Sequence, residues 1–227
     1  MTSKTPRVMQ CQKPSGWLGR LVLWNMNSRH SKVTDWGLSH ISVDKHDIVL
    51  DVGCGGGRTV NKLAALASEG KIYGVDYSPA SVAAALRENK QWIHMARVEI
   101  REGSVSQLPF SADTFDLVTA VETHFWWPDL PRDMGEVFRV LKPGGTLIII
   151  AEIFKGAKTT TAKLAEKYLP ISGMKLLSID EHRELFDNAD FSDVNIVAES
   201  GKGWICGTGR KPLEPKNSAS DDAQKSA

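Results

Sequence analysis

The sequence predicts an α/β fold, an open and mostly parallel sheet with helices on both faces. Three observations carry that prediction. Short apolar runs rich in valine and isoleucine alternate with helix-like segments, the order that builds parallel sheets. The first run, VLDV, passes directly into GCGGG and then into TVNKLAALA, a strand, a bare loop and a helix in succession. The chain has 227 residues, 41% of them hydrophobic and 24% charged, which suits one globular domain with a proper core.

The elements follow in order. Strands are expected near 47–52, 71–76, 97–102, 115–121 and 145–152, and helices near 57–68, 79–93 and 130–140. Ser78 and Pro79 form a helix start, an N-cap followed by proline in the first turn. LKPGG ends the helix before the fifth strand. A further helix is expected at 180–189, then strands near 193–199 and 203–210. The tail, residues 213–227, is polar and aperiodic, and disorder is expected there. No internal repeat is present.

Two regions lie outside this pattern. Residues 1–40 are expected to form an N-terminal helical cap, because Trp17, Leu18, Leu21, Val22 and Trp24 give an apolar face. That stretch falls short of the ~20 residues a bilayer span needs. It suits a cover over a ligand cleft, with a membrane-surface contact or a homodimer contact as alternative uses. Residues 156–177 form an insertion that serves either as a substrate wall or as a solvated connector with one helix.

The loop raises the question of its ligand. Four of the five residues after Val52 are glycine: Gly53, Gly55, Gly56 and Gly57. Bare backbone at a strand end accepts positive φ and a ligand lying against it. The dinucleotide fingerprint fits poorly, since Arg58 stands three residues after Gly55. Asp51, two residues before the first glycine, would repel a pyrophosphate and suits a ligand with an ammonium group. Asp76 closes the second strand and can accept both hydroxyls of a ribose. A ribose, an amino-acid end and no phosphate describe S-adenosylmethionine.

VLDVGCGGG, GVDYS, DTFDLVTAVE and VFRVLKPGGTLII, in that order and spacing, resemble the motifs of the class I SAM-dependent methyltransferases, in particular the small-molecule branch. The resemblance covers roughly residues 45 to 155, with a weaker echo to about 212. It implies a Rossmann-like seven-stranded sheet of order 3-2-1-4-5-7-6 with the last strand antiparallel, and a methyltransferase domain over 41–212. It also implies S-adenosyl-L-methionine as cofactor and a small molecule as methyl acceptor. Asp51 would orient the loop and reach the methionine ammonium, while Gly53, Cys54 and Gly55 present backbone to the amino-acid moiety. Asp76 would bind the ribose hydroxyls, and Tyr77 would lie against the adenine. The family often has an acid after the glycine of EGSVSQLPF; here it is Ser104, so adenine contact falls to Ser104 and Val105 without the usual charge.

ETHFWW, residues 122–127, follows the fourth strand and should line the cleft where the methyl group moves. A base is needed only if the nucleophile arrives protonated. His124 is placed to be that base, with Glu122 as its orienter or as a cofactor contact. His30 is a second candidate if the N-terminal segment closes over the cleft. For both, ordinary polar packing is the alternative. Phe125, Trp126 and Trp127 read as an aromatic substrate wall or as core packing at a strand end.

Other classes fit less well. The formal net charge of +1 recruits neither nucleic acid nor anionic membrane, and ETHFWWP is not the Asn- or Asp-Pro-Pro-aromatic run of base-directed amino methyltransferases. A protein or RNA methyltransferase, or a SAM-binding protein without catalysis, stands as the alternative. Cys11, Cys54 and Cys206 show no pairing or metal spacing, and no metal site is expected. Cys54 reads as a small packing residue rather than a nucleophile. No signal peptide or spanning segment is read, and a cytoplasmic location is the expectation.

Overall fold

The computed structural model describes residues 31–213. Its centre is a seven-stranded sheet of order β3-β2-β1-β4-β5-β7-β6. The strands are β1 (Ile48–Val52), β2 (Lys71–Asp76), β3 (Val98–Glu102), β4 (Phe115–Val121), β5 (Leu141–Ala151), β6 (Ser192–Glu199) and β7 (Trp204–Arg210). β1 to β5 pair in parallel, and β7 runs antiparallel to both β5 and β6. The order and the reversed last strand are those expected.

The central strands read as unbroken apolar runs because both of their faces are covered. In β5, Leu147 and Ile149 point into one core with Leu50, Val118 and Phe115, while Ile148 and Ile150 point into another with Val49, Leu117 and Ile72. The first core is closed by α5 (Leu130–Val140) through Met134 and Val137, and by α7 (Ile179–Asp187) through Leu185 and Phe186. The second is closed by α1 (Ser31–Leu38), α2 (Arg58–Leu66) and α3 (Pro79–Glu88), which contribute Val33, Leu63 and Ala85.

Three boundaries differ from the expectation. Residues 79–93 are two helices, α3 and α4 (Lys90–His94), because the fully buried Asn89 turns its Nδ2 back to the carbonyls of Gly57 (2.9 Å) and Ala85 (3.0 Å). β5 begins at Leu141 rather than near 145. Phe115 pairs with Leu141 and Leu117 with Thr146, so the KPGG residues form a bulge inside the strand. The helix after the insertion starts at Ile179, fixed by a capping box in which Ser178 and Glu181 each receive the other's backbone N–H.

The insertion contains α6 (Thr160–Ser172). Of the N-terminal region, the helix 31–38 packs onto the sheet: a Cβ at Gly37 would lie 2.4 Å from Ile150 Cδ1. Lys62 of α2 holds it by donating to Ser31 and Asp35. The apolar face at 17–24, His30 and the tail beyond 213 lie outside the described residues. Among the described residues no helix is long and apolar enough to cross a membrane.

Candidate active site

The carboxyl ends of β1, β2, β4 and β5 meet at the glycine loop. On leaving β1, Gly53 and Cys54 donate their N–H groups to Val75 O (2.7 and 3.0 Å), which ties the loop to β2. Gly53, Gly55 and Gly57 all have positive φ (71°, 51° and 81°), where a side chain costs about 1–2 kcal/mol. Each glycine faces something different. A Cβ at Gly53 would strike Thr123 Oγ1 at 2.1 Å, and one at Gly57 would strike Asn89 and Ala85 of the neighbouring helix at 2.6–2.8 Å. A Cβ at Gly55 would meet nothing within 4 Å. The outer glycines serve packing, and the middle one leaves open space above bare backbone.

Two acids flank that space. Asp51 is 2% exposed and accepts the Thr119 hydroxyl at 2.5 Å, from the residue opposite it on β4. Burial pushes its carboxyl up to about 7 against the Thr119 hydrogen bond, and the Asp76 charge adds to the rise. Asp76 accepts Gly55 N–H on one oxygen and Ser78 N–H on the other, both at 2.9 Å. Burial raises its carboxyl too, opposed by these bonds and one from the Ser81 side chain. A carboxylate offers about four acceptor positions, so ribose hydroxyls can join the two backbone donors. Tyr77, half-exposed beside Asp76, presents a flat ring.

Cys54 is buried, with its sulfur 3.1 Å from where a Gly74 Cβ would stand, and burial drives its thiol well above the usual range. Its side chain packs into the core with Val60 and Ile72. Ser104 is exposed and its Oγ accepts Ser106 N–H at 3.2 Å; Val105 is buried in the core beside Val75 and Leu108.

After β4 the chain turns sharply. Glu122 takes φ of 57°, a sparsely populated conformation for a residue with a side chain. Its N–H donates to Ile150 O at 2.9 Å and its carboxylate accepts Glu152 N–H, so it pins the end of β4 to the end of β5. Of the two roles expected for it, orienter of His124 or cofactor contact, the first finds no support in the His124 ring, whose Nε2 faces His182 instead. His124 Nε2 lies 3.1 Å from His182 Nε2 on α7, and its Nδ1 has no hydrogen-bond partner among the described residues. His124 is 1% exposed, and burial, with the repulsion that a second positive charge would meet from His182, holds it well below the usual histidine range.

The aromatic run divides. Phe125 (4% exposed) and Trp127 (4%) are core residues of two different clusters, and Trp126 alone stays partly open on the 3₁₀ turn His124–Trp126. The core therefore takes two of the three rings expected as a substrate wall. The insertion closes against this run. Lys175 N–H donates to Phe125 O at 2.9 Å, its Nζ donates to Pro128 O at 2.7 Å, and Phe154, Ala162 and Leu176 pack around Phe125. Thr119, Thr123, Asn89 and His182 were not singled out from the sequence. Each acts across strands or helices, where neither motif nor periodicity marks it.

A family model described as "Methyltransferase domain" matches residues 50–149, the span holding the loop, both acids and the turn after β4. That match and the methyltransferase relatives described next support the class I SAM-dependent methyltransferase family for this chain. It is 24% identical to the uncharacterized methyltransferase YdaC of Bacillus subtilis, over 82% of this chain and 96% of that protein. It is 28% identical to the chloroplastic 2-methyl-6-phytyl-1,4-hydroquinone methyltransferase of Arabidopsis thaliana, over 93% of this chain but only 61% of that protein's length. Among solved structures it is similar in fold to a Haloferax volcanii methyltransferase in complex with a methyltransferase activator, with TM-score 0.73, 23% identity and coverage of 86% of this chain and 96% of that one. Among the described residues no group of three metal-ligating side chains is present.

Proposed function

We propose that this methyltransferase moves the methyl group of S-adenosyl-L-methionine to a small-molecule nucleophile, and that the nucleophile is a ring hydroxyl compound of the hydroquinone class. The observation that carries the cofactor assignment is the open backbone at Gly55 between two buried acids. Gly53–Gly55 would hold the methionine end, with Asp51 for its ammonium. Asp76 would accept the ribose hydroxyls, and Tyr77, Ser104 and Val105 would hold the adenine. The cofactor supplies a methyl on a sulfonium sulfur, which leaves with the electron pair of the broken carbon–sulfur bond.

The chain's own task is alignment and one proton. Attack needs the nucleophile about 3–3.5 Å from the methyl carbon and opposite the sulfur. Trp126 and the insertion held by Lys175 form the wall that sets this position. His124 accepts the proton of the attacking hydroxyl, and burial keeps its imidazole neutral at pH 7. For a hydroquinone, loss of that proton makes both the oxygen and the ring carbons beside it nucleophilic. The hydroquinone acceptor of the Arabidopsis relative supports this choice, as does the aromatic character of the wall.

The test is incubation with methyl-labelled S-adenosylmethionine and 2-methyl-1,4-hydroquinone, with a cell extract in parallel. The reading expects label in organic-extractable low-mass product. Label confined to protein or RNA would overturn it and favour a macromolecular acceptor.

A further inference from the structure

We infer that His182 is a positioning residue that fixes the tautomer of His124, so that the bare nitrogen of His124 is Nδ1. This inference rests on the reading of His124 as the base.

The assignment comes from following donors and acceptors along one chain of contacts. Ser178 precedes α7, and its carbonyl oxygen can only accept. It receives the His182 backbone N–H at 3.0 Å and lies 2.7 Å from His182 Nδ1. His182 Nδ1 therefore carries a proton. With one proton per neutral ring, His182 Nε2 is left as a lone pair, facing His124 Nε2 at 3.1 Å. Two lone pairs at that distance would repel, so His124 Nε2 carries the proton and donates it. Nδ1 of His124 is then unprotonated, and it is the atom of that ring without a partner among the described residues.

A buried acceptor without a partner is destabilising, and either ring could be replaced by an apolar one of similar size. Choosing which ring nitrogen is bare is how a second group prepares a histidine base. Both rings are neutral: burial lowers each, while the Ser178 carbonyl and the Glu181 charge pull the other way on His182 only. Positive charge is thus better tolerated on His182 than on His124.

The proton balance follows. As the acceptor's oxygen bonds to the methyl carbon and the carbon–sulfur bond breaks toward sulfur, the hydroxyl proton passes to His124 Nδ1. The Nε2 proton of His124 can then move to His182 Nε2. His182 keeps its Nδ1 proton on Ser178 O, and the pair carries one added proton and one positive charge. Glu181, itself paired with Lys155 at 2.8 Å, lies next in the chain.

The decisive readout does not need turnover. Long-range proton–nitrogen NMR on the full chain with 15N-labelled histidine should show His124 protonated at Nε2 and bare at Nδ1 near pH 7.5. In His182→Leu that preference should be lost, and in His182→Gln, whose amide oxygen accepts from Nε2, it should return. With 2-methyl-1,4-hydroquinone as acceptor, His182→Leu should lower kcat tenfold or more at unchanged KM, with recovery in His182→Gln. His124 protonated at Nδ1 in the wild type would overturn the inference, as would a folded His182→Leu protein with unchanged tautomer or unchanged kcat. A His124→Ala protein with normal kcat would instead remove the base, and the NMR result would still decide the tautomer.

Discussion

Asp51→Asn should stabilise the ligand-free protein at alkaline pH and weaken its hold on the cofactor. In the folded chain the Asp51 carboxyl is pushed from 3.8 up to about 7, chiefly by burial. Between those values the folded protein keeps a proton that the unfolded chain has released. Stability from this site is thus whole below pH 3.8, declines as pH rises, and is lost above 7. A difference of about three units is worth on the order of 4 kcal/mol. Asparagine never ionises, and its side-chain oxygen still accepts from Thr119. Wild type and variant should therefore be alike near pH 4, with the variant gaining up to about 4 kcal/mol by pH 8. For a urea m-value of about 3 kcal/mol/M, that is a midpoint shift of about 1 M. Urea titrations at a series of pH values make the check. A stability gap that does not widen between pH 4 and 8 would refute the reasoning. The same variant should bind S-adenosylmethionine more weakly, since the buried acid is kept at a cost that an arriving ammonium offsets.

Other substitutions test the remaining parts. Asp76→Ala removes the ribose acceptors and two loop bonds together, and should cost about 1.5–3 kcal/mol of cofactor binding by calorimetry. Asp76→Asn, which keeps one acceptor, should lose less. Gly57→Ala should lower thermal stability by more than the 1–2 kcal/mol of its backbone strain, because its Cβ runs into Ala85 and Asn89. His124→Ala should depress kcat about 10²–10⁴-fold on a hydroxyl acceptor. Because burial depresses His124, the wild-type rate should hold through 6.5 as pH falls and drop only below it, a limb absent in the variant.

What the sequence made legible was local. Asp51, the glycines and Asp76 sit at strand ends, where apolar runs stop and a single stretch of chain shows strand, loop and acid together. What it hid depends on elements meeting. Thr119 faces Asp51 only through the register of β1 and β4, and His182 reaches His124 across 58 residues. Asn89 sits in a helix-like run, and its role emerges only once Gly57 is packed beneath it. The start of α7 is a different case: S-x-x-E at 178–181 carries the capping signature in plain view. The early start of β5 was hidden by Pro143 and Gly144, which break a strand in isolation and are tolerated here in a bulge. Of the aromatic run, composition suggested a wall, but burial of Phe125 and Trp127 is decided by the packing of the insertion and α5.

The central claim is that a cofactor lies against bare backbone at Gly55, and titration calorimetry with S-adenosylmethionine on Gly55→Ala tests it most directly. A methyl group there meets no protein atom within 4 Å, so the variant should fold with only the strain of its positive φ. The account predicts a folded protein whose cofactor affinity falls tenfold or more, while Ala at the more exposed Ser104 changes it less. A folded Gly55→Ala protein that binds S-adenosylmethionine as tightly as the wild type would contradict it.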